Sequence, residues 1–262
     1  MFVTLRFAGT RYHGFQVQRK GVPSVCQAFQ DALERILGER GQVKGCSRTD
    51  AGVHANKFCL SFKTENPIPC EKLVLALNFN LPADIAATDC RQVSGDFHAR
   101  YSAAGKEYVY RLLNSRVRDP FSPDLSYRFG AALDADFLNE QARDFLGTHD
   151  FAAFKAQGGE VEDTVRVITY FSVQRQGEFV IFTVRGDGFL YKMVRIMVGT
   201  LLDMGTGKLP AGSIPGIIAG RNRSRAGRTA PACGLYLNDV FYSWGGAPTQ
   251  KSEDRGRKSE QL

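Results

Sequence analysis

The most informative stretch of this sequence reads Gly45-Cys46-Ser47-Arg48-Thr49-Asp50-Ala51-Gly52-Val53-His54-Ala55 and lies between two apolar segments. It combines glycines, which permit backbone angles closed to other residues, with the Ser and Asp that turns use. The stretch therefore predicts an exposed loop that carries Arg48 and Asp50 two residues apart. Because most charged loop residues only meet solvent, the rest of the chain must decide whether these two act together.

The residues on both sides of this loop predict alternating strands and helices. Ser24 pairs with Gln27 in the pattern of a capping box at the start of a helix, and Gly38 is a suitable end for it. The Asp50 loop thus connects sheet elements, which is a rigid mount for a reactive group. In this first lobe the predicted elements are strands at 2–8, near 43, at 57–63 and at 86–93, and helices at 23–37 and 71–80.

A second lobe follows the same plan, although the sequence shows no internal repeat. Period two places Tyr108 and Tyr110 on one face of a strand, and we interpret Tyr110 as a core residue. Arg195 lies on a largely apolar helix, where an arginine either extends to solvent or pairs with a buried acid. The predicted elements are strands at 106–113, 165–173, 179–184 and 234–242, and helices at 136–146 and 189–204.

Composition limits the function classes. The net charge of +7 suits a polyanionic partner, but many basic proteins bind no nucleic acid. The six cysteines contain no Cys-x-x-Cys pair and fit neither a zinc site nor a disulfide framework, so we expect reduced thiols in the cytoplasm. No apolar run is long enough for a membrane span, and the N-terminus lacks a signal-peptide pattern. We find no metal or cofactor motif.

A basic segment near the C-terminus is the second candidate for contact with a polyanion. Residues 221–228 hold four arginines, among them Arg221, Arg223 and Arg225, and no acid. A solvated charge run is one interpretation. The Gly and Ser spacing and the unbalanced charge favour a loop that contacts phosphates.

Together these motifs closely resemble the TruA family of tRNA pseudouridine synthases, from Val3 to Tyr242. The string Ser47–Ala55 is the most specific piece. Phe15 and Ala8 stand where the family often has Trp and an acid, which affects loop packing or substrate preference but no catalytic position. The supporting motifs are Gly9-Thr10, Tyr12-x-Gly14, Phe97-x-Ala99-Arg100, Lys106-x-Tyr108-x-Tyr110, Gly147-Thr148-His149-Asp150-Phe151, Gly188-Phe189-Leu190-Tyr191-x-Met193-Val194-Arg195 and Thr229-Ala230-Pro231-Ala232-x-Gly234-Leu235.

The resemblance implies an α+β pseudouridine synthase fold, in which two similar lobes of mixed or antiparallel sheet with helices join across a central catalytic cleft. We expect lobes at 1–102 and 103–244, and a polar, disordered tail at 245–262. The implied activity is isomerisation of uridine to pseudouridine at about positions 38 to 40 of the tRNA anticodon arm. The implied partners are tRNA and, in a homodimer, a second copy of the chain. No metal or organic cofactor is implied.

The resemblance also implies roles for individual residues. Asp50 matches the catalytic carboxylate, a nucleophile or base beside the sugar. A carboxylate in a water-poor pocket needs a fixed cation, and Arg195 matches its partner. Tyr108 matches a catalytic-site tyrosine that stacks on the flipped uracil, and Arg48 matches the arginine at the flipping site. Whether Asp50 attacks C1′, attacks C6 or abstracts the 2′-proton stays open.

Two alternatives remain. An RNA-binding chaperone of this fold without catalysis would have no need of Asp50 or of its partner Arg195, and both are present. A synthase of the same fold acting on another RNA would differ in the substrate-facing loops.

Overall fold

A computed structural model describes residues 1–19, 21–121, 123–158 and 161–243, and the expected tail at 245–262 lies outside these residues. Within them the chain forms one continuous sheet of ten strands. The strands are β1 (Phe2–Phe7), β2 (Lys44–Gly45), β3 (His54–Ser61), β4 (Ile85–Arg91), β5 (Ala103–Leu113), β6 (Tyr127–Arg128), β7 (Gly147–Asp150), β8 (Val165–Gln176), β9 (Phe179–Gly186) and β10 (Leu235–Tyr242).

The spatial order of the strands is β4-β1-β3-β10-β5-β9-β8-β7, with β2 beside β3 and β6 beside β5. Most pairs are antiparallel, while β10 runs parallel to β3 and β6 parallel to β5. The last strand of the described residues, β10, therefore lies at the centre and joins the first half of the sheet to the second. The predicted α+β class with a mixed sheet is confirmed.

Five α-helices accompany the sheet within the described residues: α1 (Val25–Leu37), α2 (Cys70–Asn80), α3 (Ala135–Ala142), α4 (Met193–Gly205) and α5 (Ile214–Gly220). As predicted, Ser24 caps α1: its side chain accepts a hydrogen bond from the Gln27 backbone N–H at 3.3 Å. Helices α1 and α2 pack together in the first half, and α3 packs on β8 and α4 in the second. Strand and helix boundaries agree with the predictions to within three residues, except at the start of α4 and at the end of α3, where the α-helix stops at Ala142 and a 3-10 turn follows at Arg143–Phe145.

The helix predicted at 189–204 begins at Met193, so the prediction is wrong for residues 189–192. Lys192 adopts left-handed backbone angles, with φ of 57°, and a helix cannot pass through such a residue. The segment before it is an irregular turn that carries Phe189 and Leu190 toward the sheet. From Met193 to Met204 almost every side chain is buried, because the helix crosses the apolar interior of the second half.

Candidate active site

A cleft of about 720 Å³ opens where the two halves of the sheet meet. Both halves line it: the loop between β2 and β3, the start of β5, the turn before α4 and the first residues of α4. The three predicted catalytic residues, Asp50, Tyr108 and Arg195, and also Arg48, are all among the lining residues. The fold thus brings together side chains that lie far apart in the sequence.

Asp50 and Arg195 form an ion pair in this cleft. The Arg195 Nη1 donates a hydrogen bond to the Asp50 Oδ2 at 2.9 Å, and their side chains are 13% and 14% exposed. The Arg195 Nε donates to the Ala230 carbonyl at 2.7 Å, and the Ala230 N–H donates to the Arg195 carbonyl at 3.0 Å. Because the guanidinium is held from two sides, its direction toward Asp50 is fixed.

The second carboxylate oxygen of Asp50, Oδ1, receives no hydrogen bond from the described residues. Asp50 therefore presents one oxygen to the cleft while its partner holds the other. This is the arrangement that a nucleophile or base requires: a fixed carboxylate with an oxygen available to the substrate.

The loop that carries Asp50 rests on the turn after β1. The Phe15 N–H donates to the Thr49 carbonyl at 3.3 Å, and the Gly52 N–H donates to the Tyr12 carbonyl at 3.1 Å. Gly14 has φ of +85°, and a Cβ added there would lie 2.2 Å from the Thr49 carbonyl oxygen. Only glycine permits this approach, so the turn after β1 can support the Asp50 loop directly.

Tyr108 lies beside the ion pair and is 7% exposed. Its hydroxyl is 3.1 Å from the Ser47 Oγ, and its ring packs edge-to-face on Phe189 with centroids 5.1 Å apart. Burial raises the pKa of Tyr108 well above its ordinary value. The side chain is therefore a neutral phenol that offers an aromatic face and one hydroxyl. Tyr110, as predicted, is a fully buried core residue, and its hydroxyl donates to the Pro231 carbonyl at 2.9 Å.

His54, to which the sequence alone assigns no role, stabilises the segments around the Asp50 loop through its hydrogen bonds. The Gly9 N–H donates to its Nδ1 at 3.0 Å, so its Nε2 carries the proton and donates to the Cys233 carbonyl at 3.1 Å. Its ring stacks on Tyr236 at 4.6 Å, and burial lowers its pKa. One imidazole thereby connects the turn after β1, the Asp50 loop and the segment before β10.

The sequence alone also assigns no role to Lys106, which is a cleft residue. It lines the cleft two residues before Tyr108 on β5. The alternation that pairs Tyr108 with Tyr110 also places Lys106 on their face, and this was the signal available in the sequence.

The predicted phosphate-binding arginines lie outside the lining of this cleft. Arg221 is 67% exposed and pairs with Asp150 at 3.0 Å, while Arg225 is exposed. Arg223 donates to the carbonyls of Ala226 and Gly227 at 3.3 and 3.0 Å, and to the Thr229 Oγ1 at 3.2 Å. Residues 221–228 contain no acid, but Arg221 pairs with Asp150, which lies far away in the sequence.

The cleft itself carries a large excess of positive charge. Its described lining contains one acid, Asp50, and six basic residues: Arg48, Arg100, Lys106, Lys155, Lys192 and Arg195. Such a surface attracts a polyanion. Among the described residues, no three His, Cys, Asp or Glu side chains come together as a metal site, and no helix in that part of the chain has the length and apolarity to cross a membrane.

A family model described as tRNA pseudouridine synthase matches residues 4–102 and 141–243. The chain is 44% identical over 238 residues to tRNA pseudouridine synthase A of Acetivibrio thermocellus, which covers 91% of this chain and 97% of that protein. It is 44% identical over 260 residues to tRNA pseudouridine synthase A of Shouchella clausii, covering 99% and 98%. A chain of the solved Cbf5-Nop10-Gar1 complex aligns at 11% identity with a TM-score of 0.36, over 90% of this chain and 57% of that one, which is too distant to support an inference.

An α+β sheet with a basic cleft, a fixed carboxylate and an aromatic ring fits an enzyme that acts on a nucleic acid. The chain belongs to the tRNA pseudouridine synthase family, and it is an isomerase of uridine in tRNA. The resemblance predicted from the motifs is therefore confirmed.

Proposed function

We propose that this enzyme isomerises uridine to pseudouridine at positions 38 to 40 of the tRNA anticodon arm, with Asp50 as the nucleophile or base. The observation that carries the proposal is the Asp50 carboxylate, which Arg195 holds at 2.9 Å inside the cleft. Its other oxygen is open to a substrate.

The chemistry fits these groups. The C1′–N1 bond of uridine breaks, the uracil turns over, and a C1′–C5 bond forms. C5 then loses its hydrogen as a proton and N1 gains one, so the product is an isomer and no electrons are exchanged with another molecule. Asp50 would act by attack on C1′, by attack on C6 or by abstraction of the 2′-proton, and each route needs a carboxylate oxygen beside the nucleoside.

The target base must first leave the helical stack, which costs a few kcal/mol. Tyr108 presents a buried aromatic face next to Asp50 on which the uracil can stack. Arg48 is exposed at the cleft, where its planar guanidinium can occupy the space that the base vacates. In this proposal Tyr108, Asp50 and Arg195 surround the flipped nucleotide.

The rest of the tRNA would lie along the basic surface. Arg221 and Arg225 are exposed and can meet phosphates outside the cleft, whereas Arg223 is directed to backbone carbonyls and would act mainly on the shape of the loop. We extend the proposal to lobes at 1–102 and 103–244, to a homodimer and to a cytoplasmic location. These three points rest on family membership.

The test is release of tritium from tRNA labelled at C5 of uridine. The wild type should release tritium, and Asp50→Asn should fold, bind tRNA and release at least about 10⁴-fold less. Asp136→Asn is a matched control, because Asp136 is exposed on α3 and lies outside the cleft lining. Its rate should equal that of the wild type. Substantial activity of Asp50→Asn would refute the role of Asp50.

A second substrate locates the reaction. A labelled tRNA with cytidine at positions 38, 39 and 40 should release no tritium. Undiminished release from it would contradict the anticodon-arm assignment and favour a synthase that acts on another site. Tight binding without release from any RNA would favour the chaperone alternative.

A further inference from the structure

Lys106 is a cation inside the cleft that pairs with no acid in the part of the chain that the structure describes. It lies on β5, and its side chain is half-buried in the cleft wall on the face that also carries Tyr108. Within the described residues it makes no hydrogen bond or ion pair with an acid. The next residue, Glu107, lies on the opposite face of the strand, where it pairs with Arg185.

The groups that face Lys106 are Cys46, Arg100 and Arg166. Burial raises the pKa of the Cys46 thiol to about 12, so Cys46 is neutral at physiological pH. Arg166 is directed to the carbonyls of Asp163 and Val165. Among the described residues, Lys106 therefore has positive neighbours and a neutral thiol around it, and the one acid in the described cleft lining, Asp50, is paired with Arg195.

The pKa of Lys106 is lowered by burial, and Arg100 and Arg166 lower it further, while Cys46 acts in the opposite direction. A partly buried ammonium without a counter-ion opposes folding. Lys57 shows the ordinary solution elsewhere on the sheet, since it pairs with Asp239 at 2.5 Å. Since Lys106 has no such partner among the described residues, we look for its anion outside the chain, in the substrate.

Arg100 offers a second cation at the same wall of the cleft. Its guanidinium lies over the ring of Tyr101 at 5.8 Å and makes no hydrogen bond within the described residues. A planar guanidinium and a compact ammonium together match a phosphate group, which carries a full charge and several acceptor oxygens. Uracil carbonyls, being neutral, would not balance the charge.

We propose that Lys106 and Arg100 form a phosphate subsite for the RNA backbone next to the flipped uridine. The inference rests on the proposed function, because it assumes that the uracil stacks on Tyr108. Two residues of a strand span about 7 Å. A nucleotide whose base lies on Tyr108 can therefore bring one of its own flanking phosphates to Lys106. Binding in this subsite would position the nucleotide with respect to Asp50.

The first measurement is the salt dependence of tRNA affinity for Lys106→Met. Methionine has a similar length and no charge, so the variant should fold and should be at least as resistant to heat as the wild type. We expect an affinity loss of roughly tenfold and a plot of log affinity against log salt that is less steep by about 0.7–0.9. Lys72→Met is the control: Lys72 is exposed on α2, outside the cleft lining, and should change neither quantity.

The second measurement locates the phosphate. Full-length tRNA is assembled from synthetic segments so that it carries one uncharged methylphosphonate, either 5′ or 3′ of the target uridine in the anticodon arm or, as a control, in the acceptor stem. One of the two flanking substitutions should weaken binding to the wild type by roughly tenfold and should have no further effect on Lys106→Met. Arg100→Met should show the same coupling.

The outcomes separate the two proposals. If the wild type releases tritium but the methylphosphonates and Lys106→Met weaken binding independently, the phosphate subsite is wrong and the proposed function stands. If Lys106→Met loses thermal stability while its salt slope equals that of the wild type, Lys106 is structural. If the wild type releases no tritium from any tRNA, the proposed function itself fails.

Discussion

Helix α4 takes part in two aspartate–arginine pairs, one near each end. The pairs differ in how many of the carboxylate oxygens accept a hydrogen bond. Near its first turn, Arg195 gives Asp50 a single hydrogen bond at 2.9 Å and leaves Oδ1 open. Near its last turn, the Oδ1 of Asp203 accepts hydrogen bonds from the Arg228 Nε, at 2.8 Å, and from the Arg228 Nη2. The Oδ2 of Asp203 accepts a hydrogen bond from the Arg228 backbone N–H at 3.0 Å. Asp203 has no oxygen left for a ligand.

The two pairs therefore have different roles, one structural and one in the cleft, although both include a residue of α4. At Asp203 the chain closes on itself: a Cβ added at Gly199 would lie 1.8 Å from the Arg228 carbonyl oxygen, so the segment after α5 approaches α4 as closely as glycine permits. At Asp50 the partner comes from the other half of the sheet and the pair faces the cleft. A carboxylate with hydrogen bonds to both oxygens stabilises the fold, while a carboxylate with one oxygen open can act on a substrate.

The largest effect that tests this contrast is expected from Arg195→Lys. Lysine keeps the charge but cannot donate to both the Ala230 carbonyl and Asp50 in fixed directions. We expect the rate of tritium release at saturating tRNA to fall about 10²–10³-fold, with little change in thermal stability. Arg228→Lys should retain activity once folded. If Arg195→Lys keeps more than a tenth of the wild-type rate, charge alone is sufficient and the fixed geometry is not required.

A smaller effect, on stability, is expected at the other end of α4. Arg228→Met removes every side-chain donor from Asp203 and should lower the free energy of unfolding by about 2 kcal/mol, since Arg228 is one-third exposed and part of its interaction is screened by solvent. Urea titration measures this loss, and tritium release at low temperature measures the activity of the folded fraction. An inactive variant with unchanged stability would reverse the roles that we assign to the two pairs.

The same contrast shows what the sequence could predict. The string around Asp50, the alternation at Tyr108 and the apolar helix around Arg195 were visible locally, and the three residues meet in the cleft. Arg195 alone left two interpretations, because its acid is 145 residues away. Contacts at such separations depend on how β10 joins the two halves of the sheet, which no local pattern reveals.

Other features that local patterns do not reveal have the same physical origin. Residues 221–228 read as a run of arginines without an acid, but Asp150 and Asp203 reach Arg221 and Arg228 from other elements. The apolar pattern predicts a start of α4 at residue 189, which is too early, because a lysine side chain does not indicate the left-handed backbone that Lys192 adopts. His54 belongs to the string around Asp50, but no local pattern assigns it a role, since both of its hydrogen-bond partners are backbone groups.

A still smaller effect, on activity, is expected from Tyr108→Phe in the cleft that holds Asp50. Phenylalanine keeps the ring that would stack on the uracil and the contact with Phe189, and loses only the hydroxyl near Ser47. We expect tritium release to fall less than about tenfold. Complete loss of activity, with tRNA binding intact, would show that the hydroxyl takes part in proton transfer.

The smallest effect concerns His54, a group that is fully paired like Asp203 but can titrate. The groups that face it are the carbonyls of Cys233 and Asp124, the charges of Asp124 and Arg111, and the ring of Tyr236. Burial lowers the pKa of His54 in the folded chain below its ordinary value of 6.5, and Arg111 lowers it further, although the carbonyls and Asp124 oppose this. The unfolded chain therefore binds a proton below pH 6.5 before the folded chain does, and stability falls as pH drops from 6.5 through the folded pKa.

His54→Asn should remove this contribution, because the amide oxygen can still accept from Gly9 but does not titrate. The measurement is the free energy of unfolding in urea from pH 7.5 to pH 5. The slope of the variant should be smaller than that of the wild type by up to about 1.4 kcal/mol per pH unit, the limit for one proton. His13→Asn, a change at an exposed position, controls for the loss of a histidine. An unchanged slope in His54→Asn would mean that the pKa of His54 is the same in the folded and the unfolded chain, and a larger slope in the variant would mean that His54 is protonated in the fold and that Gly9 does not donate to it.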